Sequence, residues 1–412
     1  MPPKSAFYLF EKQAGPGDNI LRTVTVSPWS ALLVTRQLDC APAAFFVWAP
    51  KLLLESEPET KGGTKMFSGC YTALVTPFTD DGDKVDYDGL ERLVEFQIAG
   101  GVSGILAVGT TGESPTLTWE EHNEVIRQVT EKCKGRCQTI AGTGSNNTRE
   151  TMESTEHAVH VGADAALLVD PYYNGPSSLE IRREYVAPVA EKFPQIQVIP
   201  YVIPGRTGAQ LLPEDIAILH GRFPNVAAVK EATGNIENMK RTRECCGDDF
   251  TILSGDDDKT FAMMTDPEIT ASGVISVASN IAPRAVQDMA TFLKEGNRDE
   301  AEKLRVALKP LFGIVTVKTE EDTPYGRVTC RARNPLGAKT LMAILGMPVG
   351  PCRQPLGRMT KKGIQAVLEA GRTVWKNNPE ILKPVADFFG VDIETRLHDE
   401  SILTGLIYDE YE

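Results

Sequence analysis

The amino-acid sequence predicts a (β/α)8 barrel followed by a C-terminal helical region. Three observations carry this expectation. Short apolar runs and amphipathic helical stretches alternate eight times in about 230 residues from Cys70 onward. The runs are apolar at nearly every position rather than at every second one, as in strands buried on both faces of a parallel sheet. The first run ends Thr76-Pro-Phe78, which is not the glycine-rich phosphate loop usual after the first strand of an open doubly wound sheet.

The strands are expected at Tyr71–Val75, Gly104–Val108, Thr139–Ala141, Ala165–Val169, Gln197–Val202, Val226–Val229, Phe250–Leu253 and Gly273–Val277. Leu90, Leu93, Val94, Gln97 and Ile98 share one face of the first helix. Thr118 opens the second helix, which reaches Lys132, and Asn147-Thr-Arg-Glu150 resembles a capping box ahead of the third. Pro213 suits the first turn of the fifth helix and Pro283 that of the eighth. The barrel is placed at 66–296 and a C-terminal helical region at 297–378, with helices at Arg298–Leu311 and Lys361–Trp375. A polar insertion at 316–333 reads as a long loop or hairpin, and 379–412 as a C-terminal tail.

Residues 1–65 read as a poorly structured extension ending in a linker, Glu55-Ser-Glu-Pro-Glu-Thr-Lys-Gly-Gly-Thr-Lys65. The apolar patch Ala43–Trp48 is bounded too closely by prolines and charges for a membrane span, and no signal-peptide pattern precedes it. The domain is expected to begin near Met66, a candidate biological start. A net charge of −13 argues against nucleic-acid or anionic-membrane partners but not against anionic substrates. Eight cysteines without a CxxC pair, and only five histidines, show no zinc pattern; the simplest reading is a reduced, cytoplasmic protein without a structural metal.

The strand ends carry the chemistry, since a barrel assembles its active site from the carboxyl ends of its strands. The sixth run, Val226-Ala-Ala-Val229, is followed by Lys230. Burial disfavours an ammonium, so a lysine there can act as a nucleophile and form a Schiff base. The second strand ends Gly109-Thr-Thr-Gly-Glu-Ser114, the fourth Asp170-Pro-Tyr-Tyr-Asn174, the fifth Tyr201-Val-Ile-Pro-Gly-Arg-Thr-Gly208 and the seventh Ser254-Gly-Asp-Asp257. Tyrosine and threonine hydroxyls both donate and accept, so they can move protons as a carbinolamine collapses to an imine. Gly109 and Gly112 let backbone amides approach a carboxylate, and Arg206 offers a planar fork for another. Taken singly, each motif has a plainer reading as a tight turn, a packing contact or a surface charge. Their joint placement on four strand ends is what points to imine chemistry.

These motifs resemble the dihydrodipicolinate synthase/N-acetylneuraminate lyase family of class I, Schiff-base aldolases, over roughly Met66–Trp375. The resemblance rests on Phe67–Phe78, Gly109–Ser114, Pro171–Asn174, Tyr201 with Gly205–Gly208, and Val229–Asn235. It implies that Lys230 forms a covalent imine with pyruvate, with no cofactor. Tyr201 would relay the proton, Thr110 would follow in the relay, and Tyr173 would complete it in a neighbouring subunit's site. Thr111 would hold the pyruvate carboxylate, while Ile275 and Gly255 would belong to the substrate pocket. Arg206 matches the arginine that dihydrodipicolinate synthases use for their acceptor. The implied reaction is therefore condensation of pyruvate with L-aspartate 4-semialdehyde to 4-hydroxy-tetrahydrodipicolinate, in lysine biosynthesis. Trp119, His122, Asn146, Glu150 and Tyr172 fall where lysine-sensitive members hold an L-lysine effector. On an extended segment Tyr172 and Tyr173 would point opposite ways, one to the effector and one to an active site. A homo-oligomer is implied, either a dimer or a homotetrameric dimer of dimers. The chain departs from the family at Val202, usually asparagine, and at Gly175, often basic; the 316–333 insertion and the segment beyond Trp375 lack counterparts in short members.

Other readings compete with this one. A related aldolase or hydratase-aldolase would join pyruvate to a different carboxylated aldehyde. A non-catalytic sensor or scaffold would need none of Lys230, Tyr201, Thr110 and Tyr173. A metal-dependent aldolase would need a histidine cluster at a strand end, whereas His157 and His160 lie three apart on a helix.

Overall fold

The structure is a computed structural model that describes residues 67–408. The extension and linker expected at 1–65 lie outside these residues. Eight parallel strands close into a barrel in chain order: β1 Gly69–Ala73, β2 Gly104–Ala107, β3 Gln138–Gly142, β4 Ala165–Val169, β5 Gln197–Val202, β6 Ala228–Glu231, β7 Thr251–Ser254 and β8 Gly273–Ser276. The ladder closes through Gly69↔Gly273. A side chain at Gly273 would collide with the Gly69 carbonyl, so glycine allows the backbones to meet there.

Most expected strands are met to within two residues. The difference that matters is at β6, which begins at Ala228 rather than Val226 and continues through Lys230 and Glu231. Both residues pair with β7, as Lys230↔Leu253 and Glu231↔Ser254, so the lysine is held inside the ladder and does not merely follow it. The expected Tyr71–Val75 strand likewise starts earlier, at Gly69, where pairing with β8 begins.

Side chains alternate across each strand and divide the core in two. Tyr71, Leu106, Ile140, Leu167, Ile199, Ala228, Leu253 and Ile275 fill the barrel interior. Val229, Val198, Ile252 and Val274 face outward against the helices. Leu90, Leu93, Val94 and Gln97 bury one face of helix Tyr87–Ala99. Helix Trp119–Cys133 starts with a capping box between Thr118 and Glu121. Pro213 and Pro283 open helices Pro213–Arg222 and Pro283–Lys294. The capping box expected at Asn147–Glu150 forms only in part. Asn147 caps helix Thr148–Val161 by accepting from Arg149 N, but the Glu150 carboxylate accepts a hydrogen bond from the Ser145 hydroxyl instead.

Helices Arg298–Gly313 and Lys361–Asn377 form where the pattern places them. The 316–333 insertion is an antiparallel hairpin of β9 Thr316–Thr323 and β10 Gly326–Arg333. The expectation of a tail from 379 does not hold for the described residues. Helices Pro379–Phe389 and Ile393–His398 bury Ile381, Leu382, Val385, Ile393 and Leu397 in the same apolar core as the barrel's outer layer. The acidic surface composition of this segment masks a narrow apolar stripe. None of the described helices is long and apolar enough to cross a membrane.

Candidate active site

Because the inward-facing positions of β6 are Ala228, Lys230 and then Ala232, the lysine projects into the barrel at its carboxyl end. It is 4% exposed. Burial lowers its pKa from 10.5 to about 7; the charges of Asp256 and Asp257 oppose this and that of Arg206 adds to it. Near neutral pH a large fraction of the amine is therefore unprotonated.

Tyr201 on β5 is the register partner of Lys230, and the lysine Nζ lies 4.0 Å from the centre of its ring. Burial raises the phenol to about 12, opposed by Arg206 and by a side-chain hydrogen bond with Thr110. The structure thus brings Lys230, Tyr201 and Thr110 together as the motifs predict. Thr110 follows a backbone strain: Val108, a β-branched residue, has φ 49°. The loop that follows brings Thr110 to the Tyr201 phenol. Thr111 is buried there, its hydroxyl accepting from Asn334 Nδ2 at 3.0 Å.

A cavity of about 420 Å³ opens above Lys230, lined by Thr110, Thr111, Tyr201, Arg206, Gly255 and Asp256 on the barrel side. A side chain at Gly255 would press on Lys230 Cε and Ala232 Cβ, so this glycine leaves the amine room. Ile275 lies in the interior layer beneath, and Val277, two residues on, is the β8-end residue that lines this cavity. Arg206 stands at the rim, surrounded by protein without being covered; that crowding lowers its pKa. A second cavity of about 190 Å³ adjoins on the side of Ser114, Pro115, Gly144 and Tyr172, sharing Thr110, Tyr201 and Arg206.

Tyr173 is 93% exposed, with φ 80°, and does not line either cavity of its own chain. Its neighbour Tyr172 lines the smaller cavity. The expected effector residues form two groups. Asn146 Oδ1 accepts from Tyr172 N at 2.8 Å, and the Glu150 charge, after burial, helps to raise the Tyr172 phenol. Trp119 and His122 instead pair edge to face with each other, 5.0 Å between ring centres. His122 is buried, which lowers its pKa to about 4, only partly offset by Asn123 and the Gly142 backbone. His157 Nε2 lies 2.9 Å from the Asn123 carbonyl, and among the described residues no cluster of metal-ligating side chains gathers.

The motif reading missed a buried support beneath the Gly109–Ser114 loop. Glu113, with φ 55°, accepts from Lys339 Nζ at 2.8 Å and from Arg353 N at 2.9 Å. Lys339 also donates to the carbonyls of Thr76 and Pro351. The usable signal was a lone charge in the otherwise uncharged, largely apolar stretch Leu336–Ile344. Asn334, which ties Thr111 to the C-terminal region, carried no such signal.

The dihydrodipicolinate synthetase family model matches residues 66–370. A 4-hydroxy-tetrahydrodipicolinate synthase of Methanothrix thermoacetophila is 42% identical over 296 residues, which cover 72% of this chain and 92% of that protein. The crystal structure of dihydrodipicolinate synthase from Aquifex aeolicus superposes with TM-score 0.68 at 37% identity, covering 77% of this chain and 100% of that one. The enzyme from Cyanidioschyzon merolae with lysine bound superposes with TM-score 0.68 at 36% identity, covering 75% and 98%.

Proposed function

The chain belongs to the dihydrodipicolinate synthetase family, and from that premise we infer that it is a lyase of lysine biosynthesis. It condenses pyruvate with L-aspartate 4-semialdehyde to 4-hydroxy-tetrahydrodipicolinate. The observation that carries the residue assignments is the buried Lys230 amine beside Tyr201 in a cavity rimmed by Arg206.

The neutral Lys230 amine attacks the keto carbon of pyruvate to form a carbinolamine. Loss of its hydroxyl as water gives the imine, with Tyr201 moving the proton and Thr110 passing it on. The pyruvate methyl then loses a proton to give an enamine, whose carbon attacks the aldehyde of the second substrate. The amine of that substrate displaces Lys230 from the imine carbon, closing the ring and restoring the enzyme. The imine is itself the electron sink, so the chemistry calls on no separate cofactor.

Thr111 with its amide receives the pyruvate carboxylate, Arg206 the carboxylate of the acceptor, and Gly255 makes space for the adduct. The exposure of Tyr173 supports its service in a partner subunit's site, and hence a homo-oligomer. The lysine-bound relative supports an L-lysine effector, which we assign to Trp119, His122, Asn146, Glu150 and Tyr172. The seven cysteines among the described residues are free thiols, in keeping with a cytoplasmic setting. Borohydride reduction after incubation with pyruvate should add one pyruvate-derived group to Lys230, and the untreated enzyme should then turn over aspartate semialdehyde. An adduct elsewhere, or no turnover with that aldehyde, overturns the assignment.

A further inference from the structure

The cavity above Lys230 has a second wall, made by the β9–β10 hairpin. Antiparallel pairing sets Lys318 opposite Arg331 and Thr316 opposite Arg333. Period-two alternation puts these four on one face. That face lines the cavity. The opposite face, with Val317 and Thr319, borders Met359 and the start of helix Lys361–Asn377.

The hairpin is joined to the acceptor arginine in both directions. Arg333 Nη1 donates to the Gly205 carbonyl at 3.2 Å, and Arg206 Nη2 donates to the Asn334 carbonyl at 3.4 Å. Towards the hairpin's tip the charges are paired, Arg327 with Asp322 and Lys362 with Glu321 and Asp322. On the cavity face, Lys318, Arg331 and Arg333 have no carboxylate at ion-pair distance among the described residues, and neither has Arg206. The protein crowding Arg206 and the nearby Arg333 charge both weaken its proton binding, opposed by Tyr201 and Asp256. Four cations around one cleft, against the single carboxylate of Asp256 in its lining, leave an excess of positive charge that favours an incoming anion and focuses its approach.

We propose that the β9–β10 hairpin is part of the acceptor site: Arg333 positions Arg206, while Lys318 and Arg331 extend positive charge over the mouth, so that acceptor aldehydes are selected by their carboxylate. This deepens the function proposed above and rests on it. Arg333 is a positioning residue, acting through the Gly205–Arg206 segment.

The test compares Arg333→Ala, Arg333→Lys and the double substitution Lys318→Ser/Arg331→Ser with the unaltered enzyme, at several salt concentrations. Arg333→Ala should raise the KM for aspartate semialdehyde roughly five-fold or more while kcat and the pyruvate KM change little, and Arg333→Lys should recover part of the loss. The double substitution should lower acceptor kcat/KM at low salt and flatten its decline as salt rises. Pyruvate trapping at Lys230 serves as the folding control. Titration of succinate onto the pyruvate-loaded protein reads the same cations without turnover, and all three variants should bind it more weakly at low salt. If aspartate semialdehyde is not turned over, the functional reading fails and succinate still judges the hairpin. Unchanged acceptor KM and salt dependence, or unchanged succinate affinity, overturns the proposal.

Discussion

Lys230 Nζ lies 4.0 Å from the centre of the Tyr201 ring because the two residues are register partners on neighbouring strands of a closed barrel. Neither strand can shift without breaking the ladder on its other side, so nucleophile and phenol are held by backbone hydrogen bonds rather than by a mobile loop. The proposed chemistry depends on this pairing, and its consequences are measurable.

The pH dependence follows from the lowered Lys230 pKa of about 7. The attacking form is the neutral amine, so the rate of imine formation at fixed pyruvate should rise with pH through about 7 and then level off. A lysine with an ordinary pKa would continue to gain rate to far higher pH. Asp256 raises this pKa, so Asp256→Asn should move the rising limb to lower pH. Stopped-flow measurement across the pH range checks both statements.

Arg206→Ala removes a fork that stands at the rim rather than deep in the core. Loss of one charge-assisted carboxylate contact there should cost about 2 kcal/mol in kcat/KM for aspartate semialdehyde, roughly 30-fold. Borohydride trapping of pyruvate should survive. Equal loss of trapping would show that Arg206 serves pyruvate instead.

Lys339→Met leaves the Glu113 carboxylate buried with its charge partner gone. Breaking such a buried pair should destabilise the fold by about 3–5 kcal/mol. The double substitution Lys339→Met/Glu113→Gln removes both charges and should recover a substantial part of that loss. Denaturant midpoints of the two variants and the parent make the comparison. Equal destabilisation by both would mean that packing, not charge, dominates.

L-Lysine should inhibit turnover at fixed substrate, and Glu150→Ala should weaken the inhibition by removing a carboxylate suited to an ammonium group. His122→Ala should weaken it as well. With its pKa lowered to about 4, His122 is neutral at ordinary pH, so its contribution should vary little between pH 6 and 8. Full activity at millimolar lysine would remove the effector proposal and leave the catalytic assignments standing.

The catalytic end of the barrel was legible because its signals are local. An apolar run followed by Lys230, a Gly-Thr-Thr-Gly turn, and Tyr201 five residues before Arg206 each lie within one strand–loop segment. Barrel topology then brings every strand end to the same rim. The strained φ values at Val108 and Glu113 were not legible, since both residues are buried where packing constrains loops whose residues are ordinary.

The sequence by itself determined the eightfold strand–helix alternation and marked Lys230 as the candidate nucleophile, while strands apolar at nearly every position left their inward side to the structure. Only the tertiary structure decided what closes the site from above. Asn334 reaches Thr111 across 223 positions and Lys339 reaches Glu113 across 226, while the hairpin sets its basic face over Lys230. Such contacts leave no periodic trace in the chain. They depend on where the C-terminal helices dock on the barrel, and that docking is settled by the fit of a shared apolar core rather than by any one motif.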